Sequence, residues 1–157
     1  MYLLQLADRV AKGLTKISAQ RIERHRGFLL SQQTESGGFK GREGDADLYY
    51  TGFAARALAV SGGLDTECSR KLAEYLRTID PLKLGVIDLL SWLYSALVVQ
   101  TSSGIDVLTG LPTDFVPQVA AAIEANRTTD GGYAKSNEGA LGSTYQSFLV
   151  ALTYELQ

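Results

Sequence analysis

The chain has 157 residues, of which 45% are apolar, and 15 Lys and Arg against 17 Asp and Glu give a formal net charge of −2. This composition excludes intrinsic disorder, and the lack of a Lys/Arg block excludes an electrostatic nucleic-acid binder. The single cysteine cannot form an internal disulfide, and no signal-peptide pattern precedes the first helix-like segment, so we expect a cytoplasmic protein. One His and one Cys do not favour a Cys/His zinc site.

Periodic apolar residues predict an all-α fold, because no strand-like alternation of any length occurs. In chain order, the predicted helices cover residues of about 2–12, 19–33, 47–61, 65–79, 84–101, 114–127 and 143–156. Asp65 and Asp114 are predicted N-caps, since Asp is favoured at that position. We expect one domain over residues 1–157.

The predicted helices are of two kinds. Those beginning near residues 19, 65 and 114 are amphipathic, whereas those beginning near 47, 84 and 143 are apolar on nearly every side. A membrane span needs about 20 apolar residues, and Asp88, Ser91 and Ser95 interrupt the shorter run in the 84–101 segment. We therefore expect buried inner helices covered by outer ones, and no transmembrane segment. Small residues in the 47–61 segment, such as Gly52 and Ala55, predict close helix packing.

The chain contains an internal repeat. The segment 32–39 recurs as 126–133, 94 residues later, and each copy leads into an aromatic helix start. The segment that begins at Asp88 also matches the segment that begins at Asp47, 41 residues earlier. The separation of 94 residues therefore corresponds to two repeat units, each a pair of helices. The repeats cover roughly residues 18–61, 64–101 and 111–157.

The last repeat ends at Tyr154–Gln157 in an apolar segment of the inner kind, with no outer helix to cover it. Repeat arrays normally finish with a polar cap. We therefore expect either a fragment of a longer protein, which we favour, or a half-structure completed by a second copy.

The segment 26–33, followed by Gly37-Gly38-Phe39, resembles the Gln-to-aromatic motif that ends each outer helix in the protein prenyltransferase β subunits and the squalene/hopene and other terpenoid cyclases. The resemblance is strongest over residues 26–60. It implies an α/α toroid, in which a barrel of inner helices lies inside a ring of outer helices and an apolar funnel holds an isoprenoid chain. A full toroid of this kind has six helix pairs, so the chain corresponds to about half of one.

The prenyltransferase pattern implies roles for individual residues. Arg42 matches the arginine that helps to hold the diphosphate, Tyr50 the tyrosine beside it, and Asp47 the zinc-binding aspartate. Tyr49 stands at the position of the zinc-binding cysteine, and Gly142–Tyr145 offers no histidine where the family has its third ligand. The zinc site is therefore incomplete, so we do not expect zinc-dependent protein prenylation by this chain alone, and magnesium remains open.

The sequence Asp45-Ala46-Asp47-Leu48 also resembles the acidic motif of class II terpenoid cyclases, whose middle aspartate protonates an alkene or epoxide. The further aspartate that assists it in the family is replaced by Leu48. On this resemblance Asp45 or Asp47 would be the catalytic residue, as a proton donor or as a metal ligand.

Aromatic residues of the inner helices are the predicted substrate-binding residues beside Arg42. They are Tyr49, Tyr50, Trp92, Tyr94 and Tyr145. Structural roles compete with these assignments, because Asp47 is a suitable helix N-cap and aromatic residues commonly serve as packing. Three interpretations follow. The first is an isoprenoid-handling protein that binds a polyprenyl diphosphate, as an enzyme or not, and the second is a catalytically inactive α/α-toroid scaffold for protein binding or assembly. The third is a plain helical-repeat interaction module, which would form an open superhelix.

Overall fold

A computed structural model describes residues 2–135 and 139–155 and is all-helical over them, as predicted. The described residues form seven α-helices: α1 (Tyr2–Leu14), α2 (Ala19–Leu30), α3 (Leu48–Ser61), α4 (Thr66–Arg77), α5 (Val86–Ser103), α6 (Phe115–Glu124) and α7 (Thr144–Tyr154). A short 3-10 helix at Pro81–Lys83, which the periodicity does not predict, precedes α5. Leu156, the last residue of the predicted helix 143–156, lies outside the described residues, as does Gln157.

The structure places both predicted N-cap residues at helix starts and corrects the predicted end of α2. Asp65 accepts the backbone N–H of Cys68 at 2.8 Å and is the N-cap of α4. Asp114 stands at the predicted N-cap position of α6, but its side chain makes no capping hydrogen bond. Helix α2 ends at Leu30, three residues earlier than predicted, and the side chain of Gln33 instead donates to Gly37 O at 2.9 Å within the following turn.

Helix α5 packs between α3 and α7, while α2 lies against α3 and α4 lies against α5. The predicted close approach of α3 to α5 is confirmed: a Cβ added at Gly52 would lie 3.1 Å from the Ser91 Cβ. Helix α1 contacts α3, and its first residue reaches the end of α7, where the Tyr2 N–H donates to Oε2 of the C-cap residue Glu155 at 2.7 Å. No helix of the described residues is long and apolar enough to cross a membrane.

Equivalent hydrogen bonds support the internal repeat. We call residues 31–47 the first repeat loop, and we call the segment described over 125–135 and 139–143 the second repeat loop. In each loop, a backbone N–H donates a hydrogen bond to a hydroxyl of the helix that follows. Thr51 Oγ1 accepts the Phe39 N–H at 2.9 Å, and Ser147 Oγ accepts the Tyr133 N–H at 3.0 Å. Each loop also contains one isolated bridge, which joins Gln33 to Phe39 and Arg127 to Tyr133.

The middle repeat differs from the other two in its connection and its register. Asp47 precedes α3 as its N-cap, whereas Asp88 is the third residue of α5, whose N-cap is Gly85. The predicted match of Asp47 with Asp88 therefore does not place the two aspartates at the same point of their helices. A connection containing the 3-10 helix replaces the glycine-rich loop there.

Candidate ligand-binding site

One face of each inner helix contributes side chains to a shared pocket. On α3 these are Tyr49, Phe53 and Arg56, whose spacing of four and then three residues places them on one side of the helix. Helix α5 adds Leu90 and Tyr94, which are also four residues apart. Helices α7 and α1 complete the aromatic pocket with Tyr145, Phe148, Leu149, Leu152, Tyr2, Leu3 and Leu6. Its volume is about 280 Å³.

Edge-to-face contacts hold the aromatic side chains of this pocket in place. The rings of Tyr49 and Phe53 have centroids 4.9 Å apart at an interplanar angle of 81°, and Tyr2 meets Phe148 at 6.3 Å and 77°. Such pairs contribute about 0.5–1.5 kcal/mol beyond the area that they bury. The pocket therefore presents apolar ring surfaces to solvent, since Tyr49, Phe53 and Phe148 are 39%, 51% and 48% exposed.

Arg56 brings a positive charge into this apolar pocket. Its Nε donates to Gly52 O at 2.8 Å, and its guanidinium carbon lies 4.6 Å from the centroid of Phe53 and 5.3 Å from that of Tyr94. Among the described residues, the ion pairs all lie elsewhere and none includes Arg56. The guanidinium is thus held by ring faces and one carbonyl, with no described carboxylate to neutralise it.

Burial shifts the pKa values of the two ionisable groups in contact. Burial lowers the pKa of Arg56 below its ordinary value, while the neighbouring Tyr94 opposes the change. An arginine keeps its charge at any physiological pH because its ordinary pKa exceeds about 12. The pKa of Tyr94 is raised, chiefly by burial, so this residue remains a neutral phenol. The pocket consequently contains a cation whose charge is free to act on an anionic ligand.

The structure divides the predicted site residues among separate places. Tyr49, Tyr94 and Tyr145 line the aromatic pocket. Arg42 and Tyr50 instead line a groove between α2 and α3, with a volume of about 1020 Å³. We call this the α2–α3 groove; it also contains Lys40 and Glu43, together with Phe28, Leu29, Gln32, Gly41, Phe53, Ala54 and Ala57.

The two aspartates predicted to be catalytic line neither of these cavities. Asp47 Oδ1 accepts the Tyr50 N–H at 3.1 Å, so Asp47 is the N-cap of α3, the structural role that its position also suggests. Asp45 borders a third cavity, of about 520 Å³, beside Ala46 and Tyr75. Neither Asp45 nor Asp47 would therefore contact a ligand bound in the aromatic pocket.

Trp92, predicted to bind substrate, lies elsewhere in the fold. Its side chain is only 1% exposed, its indole N–H donates to Leu76 O at 3.0 Å, and its ring meets Phe115 edge to face at 6.1 Å. These contacts join α5 to α4 and α6. Trp92 therefore packs on the side of α5 that faces the outer helices, and this correction leaves Tyr94 as the aromatic residue of α5 in the pocket.

Arg56 is the site residue that the sequence analysis missed. The available signal was a single charged residue in the otherwise uncharged α3 segment of residues 48–61. A charge on a helix that packs against the core requires a partner or a function, because desolvating it costs free energy. That argument selects Arg56 from the sequence alone.

Few side chains that could bind a metal ion lie close together among the described residues. In the part of the chain that the structure describes, no three His, Cys, Asp or Glu side chains gather as a metal site. Asp47 and Asp88 are near enough to interact, since burial and then the charge of Asp47 raise the pKa of Asp88.

Comparisons with known proteins give no relative: no protein-family model, no curated protein and no solved structure matches the chain.

Proposed function

We propose that this chain is an arc of an α/α toroid that binds an isoprenoid chain with an anionic, diphosphate head group in the aromatic pocket. The observation that carries the proposal is Arg56, a charged guanidinium against the rings of Phe53 and Tyr94 without a carboxylate among its described contacts. The internal repeat and the two kinds of helix support the toroid, as does the motif resemblance over residues 26–60.

The chemistry of the pocket fits an amphiphilic ligand. Ring faces of Tyr49, Phe53 and Phe148 offer apolar surface for a branched hydrocarbon chain. A guanidinium donates paired N–H groups that match phosphate oxygens, and such charge-assisted hydrogen bonds are about twice as strong as neutral ones. The hydrocarbon would lie against the rings while the diphosphate meets Arg56.

The volume of the pocket limits the length of the ligand. Ligand pockets typically measure about 300–1,000 Å³, and the aromatic pocket, at about 280 Å³, lies just below the lower end of this range. We therefore expect geranyl diphosphate, with two isoprene units, to fit better than geranylgeranyl diphosphate, with four.

The arrangement favours binding over cyclisation chemistry. A cyclase stabilises carbocations on aromatic faces, but in this pocket the guanidinium of Arg56 already lies over Phe53 and Tyr94. A positive charge there repels a second one. Asp45 and Asp47, the two candidate acids, also lie outside the pocket, so the proposal is a binding function with no chemical step.

Isothermal titration calorimetry with geranyl diphosphate, and separately with geraniol and with inorganic diphosphate, tests the proposal. We expect saturable binding of geranyl diphosphate, weaker binding of geraniol, and no measurable binding of diphosphate alone. Arg56→Gln should weaken geranyl diphosphate binding about 10-fold or more, which corresponds to about 1.4 kcal/mol, and should leave geraniol binding nearly unchanged.

Arg42→Gln is the matched control, since it removes the same charge from the α2–α3 groove. It should change the affinity for geranyl diphosphate less than about 2-fold, because one exposed charge outside the pocket contributes little. Loss of binding in Arg42→Gln with normal binding in Arg56→Gln would move the head group to the groove and contradict the proposal. Absence of binding by the unmodified chain would overturn it entirely.

A further inference from the structure

Phe53 is the one described residue that lines both the aromatic pocket and the α2–α3 groove. The pocket has a volume of about 280 Å³ and the groove a volume of about 1020 Å³. The two cavities therefore meet at a single side chain. The size of that side chain decides whether a ligand can extend from the smaller cavity into the larger one.

The helical spacing of α3 explains why Phe53 stands at this boundary. Tyr49, Phe53 and Arg56 lie four and then three residues apart, on the face of α3 that lines the aromatic pocket. Three further residues follow at the same intervals, one position later along the helix, and line the α2–α3 groove; they are Tyr50, Ala54 and Ala57. Phe53 belongs to the first set, but its ring also reaches the groove.

Contacts with neighbouring side chains hold the Phe53 ring at the boundary. The ring meets that of Tyr49 edge to face, with centroids 4.9 Å apart and an interplanar angle of 81°. The guanidinium carbon of Arg56 lies 4.6 Å from the Phe53 centroid. Both partners line the aromatic pocket. The ring is thus anchored on the pocket side, next to the group that would receive the anionic head.

Beyond Phe53, the α2–α3 groove offers apolar surface from two helices. Ala54 and Ala57 of α3 leave room there, and Phe28 and Leu29 of α2 contribute larger apolar side chains. Phe28 is 64% exposed, so a hydrocarbon chain bound in the groove would remove its ring from water, which is favourable. The charged residues of the groove all lie in the loop between α2 and α3; they are Lys40, Arg42 and Glu43.

We infer, on the basis of the proposed function, that Phe53 determines the chain length of the polyprenyl diphosphate that this chain accepts. With the head group at Arg56, the Phe53 ring confines the hydrocarbon to the aromatic pocket and separates it from the α2–α3 groove. A smaller side chain at this position would join the two cavities. A chain of four isoprene units would then continue past position 53 along Ala54 and Ala57.

Isothermal titration calorimetry with geranyl and geranylgeranyl diphosphate, each below its micelle-forming concentration, tests this role. The measured quantity is the dissociation constant for geranylgeranyl diphosphate divided by that for geranyl diphosphate. Phe53→Ala should lower this ratio at least about 10-fold, because it removes a steric barrier to the longer chain. The lost contact between Phe53 and Arg56 affects both ligands through their common head group, so it cancels in the ratio.

Phe148→Ala is the matched control. Phe148 is exposed to about the same degree as Phe53 and lines the aromatic pocket, but it does not line the α2–α3 groove. Both substitutions remove a ring of the same size from the pocket and should weaken binding of geranyl diphosphate. Only Phe53→Ala opens the pocket to the groove, so Phe148→Ala should change the ratio less than about 2-fold.

A double variant, Phe53→Ala with Ala57→Phe, places a ring back in the groove one turn further along α3. It should return the ratio toward that of the unmodified chain. Circular dichroism should show the same helical content in all three variants, because both phenylalanines are about half exposed and Ala57 is only partly buried.

The outcomes separate the role of Phe53 from the proposed function. An unchanged ratio in Phe53→Ala, an equal fall in Phe148→Ala, or a double variant that stays as low as Phe53→Ala would overturn the role of Phe53. So would an unmodified chain that binds geranylgeranyl diphosphate more tightly than geranyl diphosphate. In each case, binding of geranyl diphosphate by the unmodified chain would still support the proposed function. Failure of the unmodified chain to bind either ligand would overturn both.

Discussion

The two repeat loops share a backbone but are stabilised by different interactions. In the first, Phe39 is 0% exposed and α4 covers the glycines, so burial dominates. In the second, the corresponding Tyr133 is partly exposed, and its hydroxyl donates to Glu124 Oε1 at 2.6 Å. The hydrogen-bond frame of the loop therefore forms in both repeats, although among the described residues a covering helix lies only on the first loop, and the source of the loop's stability differs between them.

The largest difference is expected when the aromatic residue of each loop is truncated. Phe39→Ala removes a fully buried ring and should lower the free energy of unfolding by about 3–5 kcal/mol. Tyr133→Ala should cost less, about 1–2 kcal/mol, because its ring is partly hydrated and the site does not become a closed cavity. Urea denaturation followed by circular dichroism measures both. Equal losses would show that the two loops are stabilised alike.

A smaller difference is expected for the hydroxyl that closes each loop. Thr51→Val leaves the buried Phe39 N–H without its acceptor and should cost about 1–3 kcal/mol. Ser147→Ala removes the equivalent acceptor of the Tyr133 N–H, but Ser147 is only partly buried. Water can replace the lost bond there, so we expect about 0.5–1 kcal/mol. The same denaturation experiment checks the pair, and a greater loss in Ser147→Ala would be against the account.

The smallest expected effect is a pH dependence of the stability of the second repeat loop. Hydrogen bonds from Tyr133, Tyr154 and Arg127 lower the pKa of Glu124 to about 2. A lowered carboxyl pKa gives a stabilisation that is complete above the ordinary value, about 4.5, and is lost as the pH falls toward 2. Amide hydrogen exchange should therefore speed up around Tyr133 over this range, and less around Phe39.

Glu124→Gln provides the control for this pH dependence. It removes the titrating carboxyl and should reduce the change in exchange rate around Tyr133 between pH 4.5 and 2. Asp130, whose pKa is also lowered by hydrogen bonds from Thr128 and the backbone, would account for the part that remains. An unchanged pH profile in Glu124→Gln would show that Glu124 does not hold the loop.

Much of the fold could be predicted from the sequence, because local signals determine it. The repeated Gly-Gly-aromatic segments marked both loops, and the helices follow their apolar periodicity. The ends of helices were less predictable, since a side chain such as Gln33 is recruited by a loop after the helix stops. Asp114 likewise has the residue type of a cap without the hydrogen bond.

The site was harder to predict than the fold, for a reason visible in α5. This helix is apolar on nearly every side, so its sequence carries no sign of which face meets the pocket. Trp92 and Tyr94 are two residues apart and therefore point in nearly opposite directions. The structure places Tyr94 in the pocket and Trp92 against the outer helices. The two arginines show a similar limit of the sequence. The family resemblance selected Arg42 as the residue that binds the diphosphate, whereas the structure places Arg56, and not Arg42, in the aromatic pocket.

The binding proposal is tested most directly by a 1H–15N NMR titration with geranyl diphosphate. We predict that the shifted amides cluster around Phe53, Arg56, Tyr94 and Phe148, which line the aromatic pocket. Amides of residues 40–43, in the α2–α3 groove, should move little. Shifts confined to residues 40–43 and Tyr50, or none at saturating ligand, would contradict the assignment of Arg56 as the group that receives the anionic head.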